Sequence, residues 1–214
     1  MTPQDLIPTF ELQVSDMTEL STAEELSLFN RVYKRVCADR PWEFLKTTAT
    51  GSVLTDATGS YITIPADFTY FAENKLYTDN TISYQNNAAP KVIFIVNGNT
   101  YTPYQVVNFS DRRQYVNKSG YAYLDLANSK IRFTYPPVTG MYEFDYIKEP
   151  ATVGLTDIIV IPSRFADIIP FGMALENDIL QLSPKATSYA PENRAMYDKY
   201  LLDMQYWNAL LQEN

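Results

Sequence analysis

Arg40-Pro41-Trp42-Glu43-Phe44-Leu45 separates two kinds of sequence. Ahead of it, apolar residues recur at threes and fours, the period of a helix. Behind it, for about a hundred residues, the period is that of strands, and turn residues punctuate it. Pro41 forces the preceding residue out of the helical region, so it ends or kinks the helix. Trp42 and Phe44 then read as a structural plug, two large rings buried where a helical part meets a β part. The domain reading follows: helices over 1–46, a β domain over 47–162, and helices again over 163–214. The expected fold is α+β, with the N- and C-terminal helices packed together as a helical bundle around an inserted antiparallel β-sandwich or barrel-like domain.

Composition narrows the function classes. The chain has 214 residues and 46% apolar content, enough for a real core. Its 17 Tyr, 11 Phe and 2 Trp favour half-buried sheets and protein interfaces, because tyrosine joins apolar area to a polar tip. A net charge of −8 disfavours tight phosphate binding; it reads first as ordinary solubility, and secondly as a surface that DNA would pass without sticking. There is no histidine, which removes Ser-His-Asp and Cys-His catalysis and histidine metal sites. Cys37, the one cysteine, falls within a helical pattern and reads as a small core residue. No apolar run reaches the ~20 residues of a membrane span, and no signal peptide is evident.

Along the chain, Thr2-Pro3-Gln4-Asp5 opens a short helix whose Leu6, Ile7 and Phe10 form one sticky face, either core or a docking arm. Ser21-Thr22-Ala23-Glu24 has capping-box spacing, and Leu26, Phe29, Val32, Tyr33, Val36 and Cys37 then line one side of a helix. Thr47–Leu54 and Tyr61–Ile64 read as a hairpin about Asp56-Ala57-Thr58-Gly59, followed by a strand over Phe68–Tyr77. The clearest hairpin joins Val92–Val96 to Thr100–Val107 through Asn97-Gly98-Asn99, with Pro103 marking an edge. Ser110–Tyr115 reads as a capped turn. Tyr121–Leu126, Lys130–Tyr135 and Met141–Lys148 read as a meander, and Ile158–Ile161 as a short strand ended by Pro162. Ile168, Gly172, Leu175, Ile179 and Leu182 line a helix that Pro170 kinks or delays. After a loop over Ser183–Ala190, Pro191 and Glu192 open a last helix with Tyr197, Tyr200, Leu201, Met204, Trp207 and Leu211 on a broad apolar face.

Catalytic motifs are missing. There is no Gly-rich phosphate loop, no cysteine pair at metal spacing and no Gly-x-Ser-x-Gly. Glu143 and Asp145 share a strand face and suit a wet surface better than a glycosidase pair, since nothing nearby in sequence raises one pKa. Asp111, Asp125 and Asp157 sit in no calcium loop. Arg112-Arg113 reads as an exposed turn before it reads as a phosphate or acidic-partner contact. The expectation is therefore no enzyme, no cofactor and no metal.

Several segments, in order, resemble the head-to-tail adaptor proteins of tailed bacteriophages. Asn30-Arg31-Val32-Tyr33 runs into Pro41-Trp42-Glu43-Phe44-Leu45. Tyr61-Ile62-Thr63-Ile64-Pro65-Ala66-Asp67-Phe68 is similar to the family's tyrosine, aliphatic, proline, aspartate and phenylalanine run. Lys130-Ile131-Arg132-Phe133-Thr134-Tyr135-Pro136-Pro137 and Ile161-Pro162 before a long helix complete the set. The likeness spans roughly residues 20 to 205.

The resemblance implies a ring of about twelve copies that docks below the portal protein, joins it to tail or nozzle proteins and lines the DNA exit channel. DNA is then only lumen cargo, with no sequence-specific binding and no membrane contact. The site of action is the virion, reached from the host cytoplasm during assembly. Tyr200, Trp207, Leu210 and Leu211 are the candidate portal or neighbour interface, and Asn97, Gly98 and Asn99 the candidate tail-facing hairpin tip. The competing expectation is a carbohydrate- or receptor-binding β-sandwich module of a tail.

Overall fold

The computed structural model describes residues 1–14, 20–72, 91–135, 138–180 and 190–213. The fold is α+β, and the chain divides into two compact units, Met1–Leu45 with Glu149–Asn214, and Lys46–Lys148.

The first unit is helical. Helix α1 (Pro3–Val14) begins where Asp5 accepts from the Thr2 amide at 2.8 Å and from its hydroxyl at 2.9 Å. Leu6, Ile7, Phe10 and Val14 are buried, so this helix belongs to the core and is not a free arm. Helix α2 (Thr22–Ala38) starts at the expected capping box: Ser21 Oγ receives the Glu24 amide, and Glu24 receives the Ser21 amide at 2.8 Å. Its buried face is Leu28, Phe29, Val32, Tyr33, Val36 and Cys37. Burial pushes the Cys37 thiol up to about 12, as fits a packed core residue.

Residues 149–162 leave the sheet and join the helices, so the second crossing falls at Lys148–Glu149 instead of Pro162. No strand forms over Ile158–Ile161. The segment is tied down by other means. Asn30 on α2 donates to the Val153 carbonyl at 2.9 Å and accepts from the Val153 amide at 2.8 Å. The Gln4 amide donates to Leu155 at 3.0 Å, and the Ile159 amide to Met1 at 3.2 Å. These bonds satisfy backbone groups that an alternating pattern alone would assign to a ladder.

Helix α3 (Ile168–Leu180) packs on α1, on α2 and on α4 (Ala190–Glu213). Pro170 lies in its first turn, where a missing N–H costs nothing. Gly172 permits the close approach: a Cβ there would stand 2.5 Å from Val32 Cγ1 and 3.0 Å from the Tyr197 ring. Leu182 and the loop before Ala190 lie outside the described residues.

The second unit is one mixed sheet. Strands β1 (Lys46–Ser52), β2 (Leu54–Asp56), β3 (Gly59–Thr63), β4 (Phe68–Phe71), β5 (Val92–Asn97), β6 (Thr100–Val107), β7 (Tyr121–Asp125), β8 (Lys130–Phe133) and β9 (Met141–Lys148) run in the order β1-β9-β5-β6-β7-β8-β3-β2, with β4 beside β9. Both the Asp56–Gly59 turn and the Asn97–Thr100 turn close hairpins, β2–β3 and β5–β6. Other pairings depart from the sequence expectation. β1 pairs with β9 and not with β3. β9 pairs with β1, β5 and β4 and not with β8, so the expected meander stops after β7–β8. β6 and β7 run parallel over Gln105–Val107, so the sheet is not purely antiparallel. Pro103 lies in the half of β6 beyond that pairing, where its missing donor is tolerated.

β1 and β2 end the two sides of the sheet and are separated only by Val53. The sheet must therefore curl to bring its edges together, and the Val53 amide, bonded to Gly140 at 2.9 Å, marks the bend. Ile62, Ile93, Ile95, Ala122, Ile131 and Phe144 fill the concave side, with an edge-to-face aromatic set of Phe68, Phe71 and Phe144.

Candidate functional site

Trp42 is fully buried in the helical unit, at 0% exposure. Its indole N–H donates to the Val36 carbonyl at 2.8 Å, which also receives the Asp39 amide at 3.3 Å, so two donors meet that acceptor in the last turn of α2. Phe44 is half-buried and stacks on it at 5.7 Å, Trp207 of α4 stacks on Phe44 at 6.4 Å, and Phe165 follows at 5.6 Å. The Arg164 guanidinium caps the column 4.5 Å from the Trp207 ring. Beside it, buried Asn208 accepts from the Glu43 amide at 2.7 Å and donates to the Pro41 carbonyl at 3.3 Å. The 40–45 turn is thus what receives the C-terminal half of α4.

That arrangement sorts the interface candidates. Trp207 faces inward, and Tyr200 stacks on Phe171 at 5.8 Å with its hydroxyl 3.4 Å from Asp167. Leu210 and Leu211 face out, at 59% and 43% exposure. Leu202 and Tyr206 join them at 50% and 66%. Leu202, Tyr206 and Leu210 are four apart, one row on the side of α4 away from Met204. The signal was present in the sequence: α4 carries apolar residues on two faces, of which Met204 marks the buried one and Leu202 and Tyr206 the exposed one.

At the β5–β6 hairpin, Asn97 and Thr100 close a two-residue loop with Gly98 at φ +61, a conformation suited to glycine. Asn97, Gly98 and Asn99 are all exposed. Exposed Tyr101 and Met141 flank them, because Val96 pairs with Tyr101 on one side and Met141 on the other. Met141 comes from a strand distant in sequence, so no local pattern could have placed it there.

A third feature, unforeseen from the sequence, is an ionic cluster on β2, β3, β7 and β8. Arg132 donates to Asp125 at 2.8 Å and to Asp56 at 3.2 Å, and Lys130 donates to Asp56 at 2.7 Å. Lys130 also lies 3.8 Å from the centre of the Tyr61 ring. Lys130 first, then Thr58 and Arg132, hold the Asp56 carboxyl well below the usual carboxylate range. Arg132 first, then Asn128, lower Asp125. These are ionised, mutually satisfied groups that pin strands together, and a proton donor is not what they make. Asp145 accepts from the Thr48 hydroxyl at 2.7 Å. Among the described residues no group of three metal-ligating side chains occurs.

The β6–β7 connection carries the Arg112-Arg113 pair. It is held by Asp111 and Gln114 amides within its own turns, by the Asn117 amide on Thr134 at 3.2 Å and by the Thr134 hydroxyl on Lys118 at 2.7 Å. Arg112 lies 3.6 Å over the Phe109 ring, and Lys118 lies 5.3 Å from the centre of Tyr115. Charge is unevenly divided between the units. The helical unit has 8 Lys and Arg against 17 Asp and Glu, a net −9, and the β unit has 9 against 8, a net +1.

No protein-family model matches the chain, and no curated protein matches it either. Among the described residues no helix is long and apolar enough to cross a membrane.

Proposed function

We propose that this protein is a structural head-to-tail adaptor of a tailed phage, a ring subunit that docks below the portal, joins it to tail or nozzle proteins and lines the DNA exit path. In this reading the terminal helices form a bundle that meets the portal. Lys46–Lys148 is the inserted barrel-like domain, which points its 97–99 tip at the tail, and the assembled ring resides in the virion. The observation that carries it is the exposed pair Leu202 and Tyr206, one turn apart on a helix whose opposite side is already anchored by Trp207 and Asn208. An apolar pair exposed among the described residues is what a subunit built for assembly presents to the portal or to the next copy. The acidity of the helical unit suits a wall along which DNA must slide without adhering.

Removing residues 205–214 would also remove Trp207 and Asn208, so point substitutions are the cleaner test. Leu202→Ser with Tyr206→Ser should leave the circular dichroism and melting of the monomer as in the parent. Electron microscopy of portal particles mixed with the variant should then show no ring where the parent protein adds one. A full ring from the double variant overturns the assignment of this row. A parent protein that ignores portal overturns the adaptor reading itself.

A further inference from the structure

The 108–120 connection is a basic stretch of the β unit: Arg112, Arg113 and Lys118 against one carboxylate, Asp111, which accepts locally from Asn108 and Ser110. Arg113 and Lys118 are exposed. Arg112 is laid flat on Phe109 and donates to the Phe109 carbonyl at 2.6 Å, so its guanidinium is held in one orientation. Exposed Phe109 and Val116 add apolar area to the same loop. Apolar centres with arginine and aromatic side chains are the composition of protein interfaces, and a loop fixed in advance loses little entropy on binding. A sugar would need aromatic faces that Arg112 and Lys118 already cover. The partner that fits is an acidic protein surface.

The chain itself carries one. Its acidity lies wholly in the helical unit, at net −9, while the β unit is net +1. Copies set side by side in a ring would bring these acidic units together at an electrostatic cost, which an intervening basic loop offsets. On α4, Asp203 is exposed beside the Leu202–Tyr206 row, Asp198 one turn before it is paired with Arg194 at 3.5 Å, and Lys199 is the other cation nearby. Each unit therefore offers what the other lacks: an apolar patch with cations on one, an apolar row in an acidic setting on the other.

We propose that the 108–120 loop of one copy seats against the acidic helical unit of a second copy, a head-to-tail contact between unlike surfaces. This rests on the ring reading above and decides between its two candidate occupants for the α4 row, in favour of the neighbour.

The test mixes isotopically heavy and light copies of the full chain at high concentration and treats them with a zero-length carbodiimide, which condenses a lysine amine with a carboxylate. Heavy–light peptides joining Lys118 to carboxylates within 1–45 or 149–214 are expected. In sedimentation velocity, Arg113→Glu should weaken self-association about tenfold or more, and Tyr206→Ser should do the same from the other side. Both residues are exposed, so a matching melting curve rules out misfolding as the cause. A chain that stays monomeric at every concentration overturns the inference. So do cross-links from Lys118 only to carboxylates of the β unit, or tight binding of a DNA oligonucleotide that Arg113→Glu abolishes without self-association. Portal attachment is scored separately on the parent protein: attachment without these cross-links removes this contact and leaves the adaptor reading in place.

Discussion

At the scale of single residues, Trp42 does two jobs that can be separated. Its ring fills core volume between α2 and the C-terminal half of α4, and its N–H satisfies the Val36 carbonyl. Trp42→Ala removes both and should cost about 3–5 kcal/mol, the range for large aromatic truncations. Trp42→Phe keeps much of the ring and removes one of the two donors on that carbonyl, the Asp39 amide remaining, which should cost about 0.5–1.5 kcal/mol. Urea titration followed by circular dichroism measures both. Equal losses in the two variants would mean that the hydrogen bond, and not the ring, dominates. The sequence pointed to two buried rings at 42 and 44 because a proline and two rings stood at a change of period; Trp42 is buried and Phe44 only half-buried. It did not show Asn208 reading the backbone of the same turn, since that pairing links positions far apart in sequence.

At the scale of elements, helices were legible and strand partners were not. Capping boxes and threefold–fourfold spacing are local, so α1, α2 and the apolar side of α4 could be read directly. Strand pairing is decided by distant chain. β1 looks like the first arm of a hairpin, yet its seven residues pair with Met141–Lys148 because the chain bends at Val53 and crosses the seam of the curled sheet. The Asp56–Arg132–Asp125 cluster escaped for the same reason: its members come from β2, β7 and β8. It sits by the seam strand β2 and should govern acid stability of the β unit. Asp56 has its folded-state pKa below the ordinary value because Lys130, Thr58 and Arg132 favour the charged form. Such a group contributes stability at neutral pH, and the contribution fades as pH falls below the ordinary carboxylate range. Asp56→Asn should therefore melt lower than the parent at pH about 7, and the gap should begin to narrow only below pH about 4, as the medium falls toward the depressed folded-state pKa. Coincident curves at neutral pH would show that Asp56 gains nothing from its cationic neighbours.

At the scale of the whole chain, the question is whether the β unit is an insertion in the energetic sense as well as the topological one. The helical unit is closed by contacts between segments on either side of the insertion: Asn30 clamps Val153, α3 packs on α1 and α2, and Asn208 holds Pro41 and Glu43. The insertion begins and ends at neighbouring points, because Lys46 pairs with Ile147 across β1 and β9. A short flexible link in place of Lys46–Lys148 would therefore span a small gap, and closing a small loop costs little entropy. Its core is its own, with Phe10, Phe29, Trp42, Ile168 and Ile169 all buried there and each supplied by the unit itself. A chain of residues 1–45 joined through a Gly-Ser link to 149–214 should give a helical spectrum and a single cooperative melt, as separate cores predict. It should also keep the α4 row and lose self-association, since the basic loop leaves with the insertion. A broad, non-cooperative transition would show that the helical unit needs the β unit to fold. The Pro41–Trp42 turn would then be a fold determinant for both units and not only the anchor of α4.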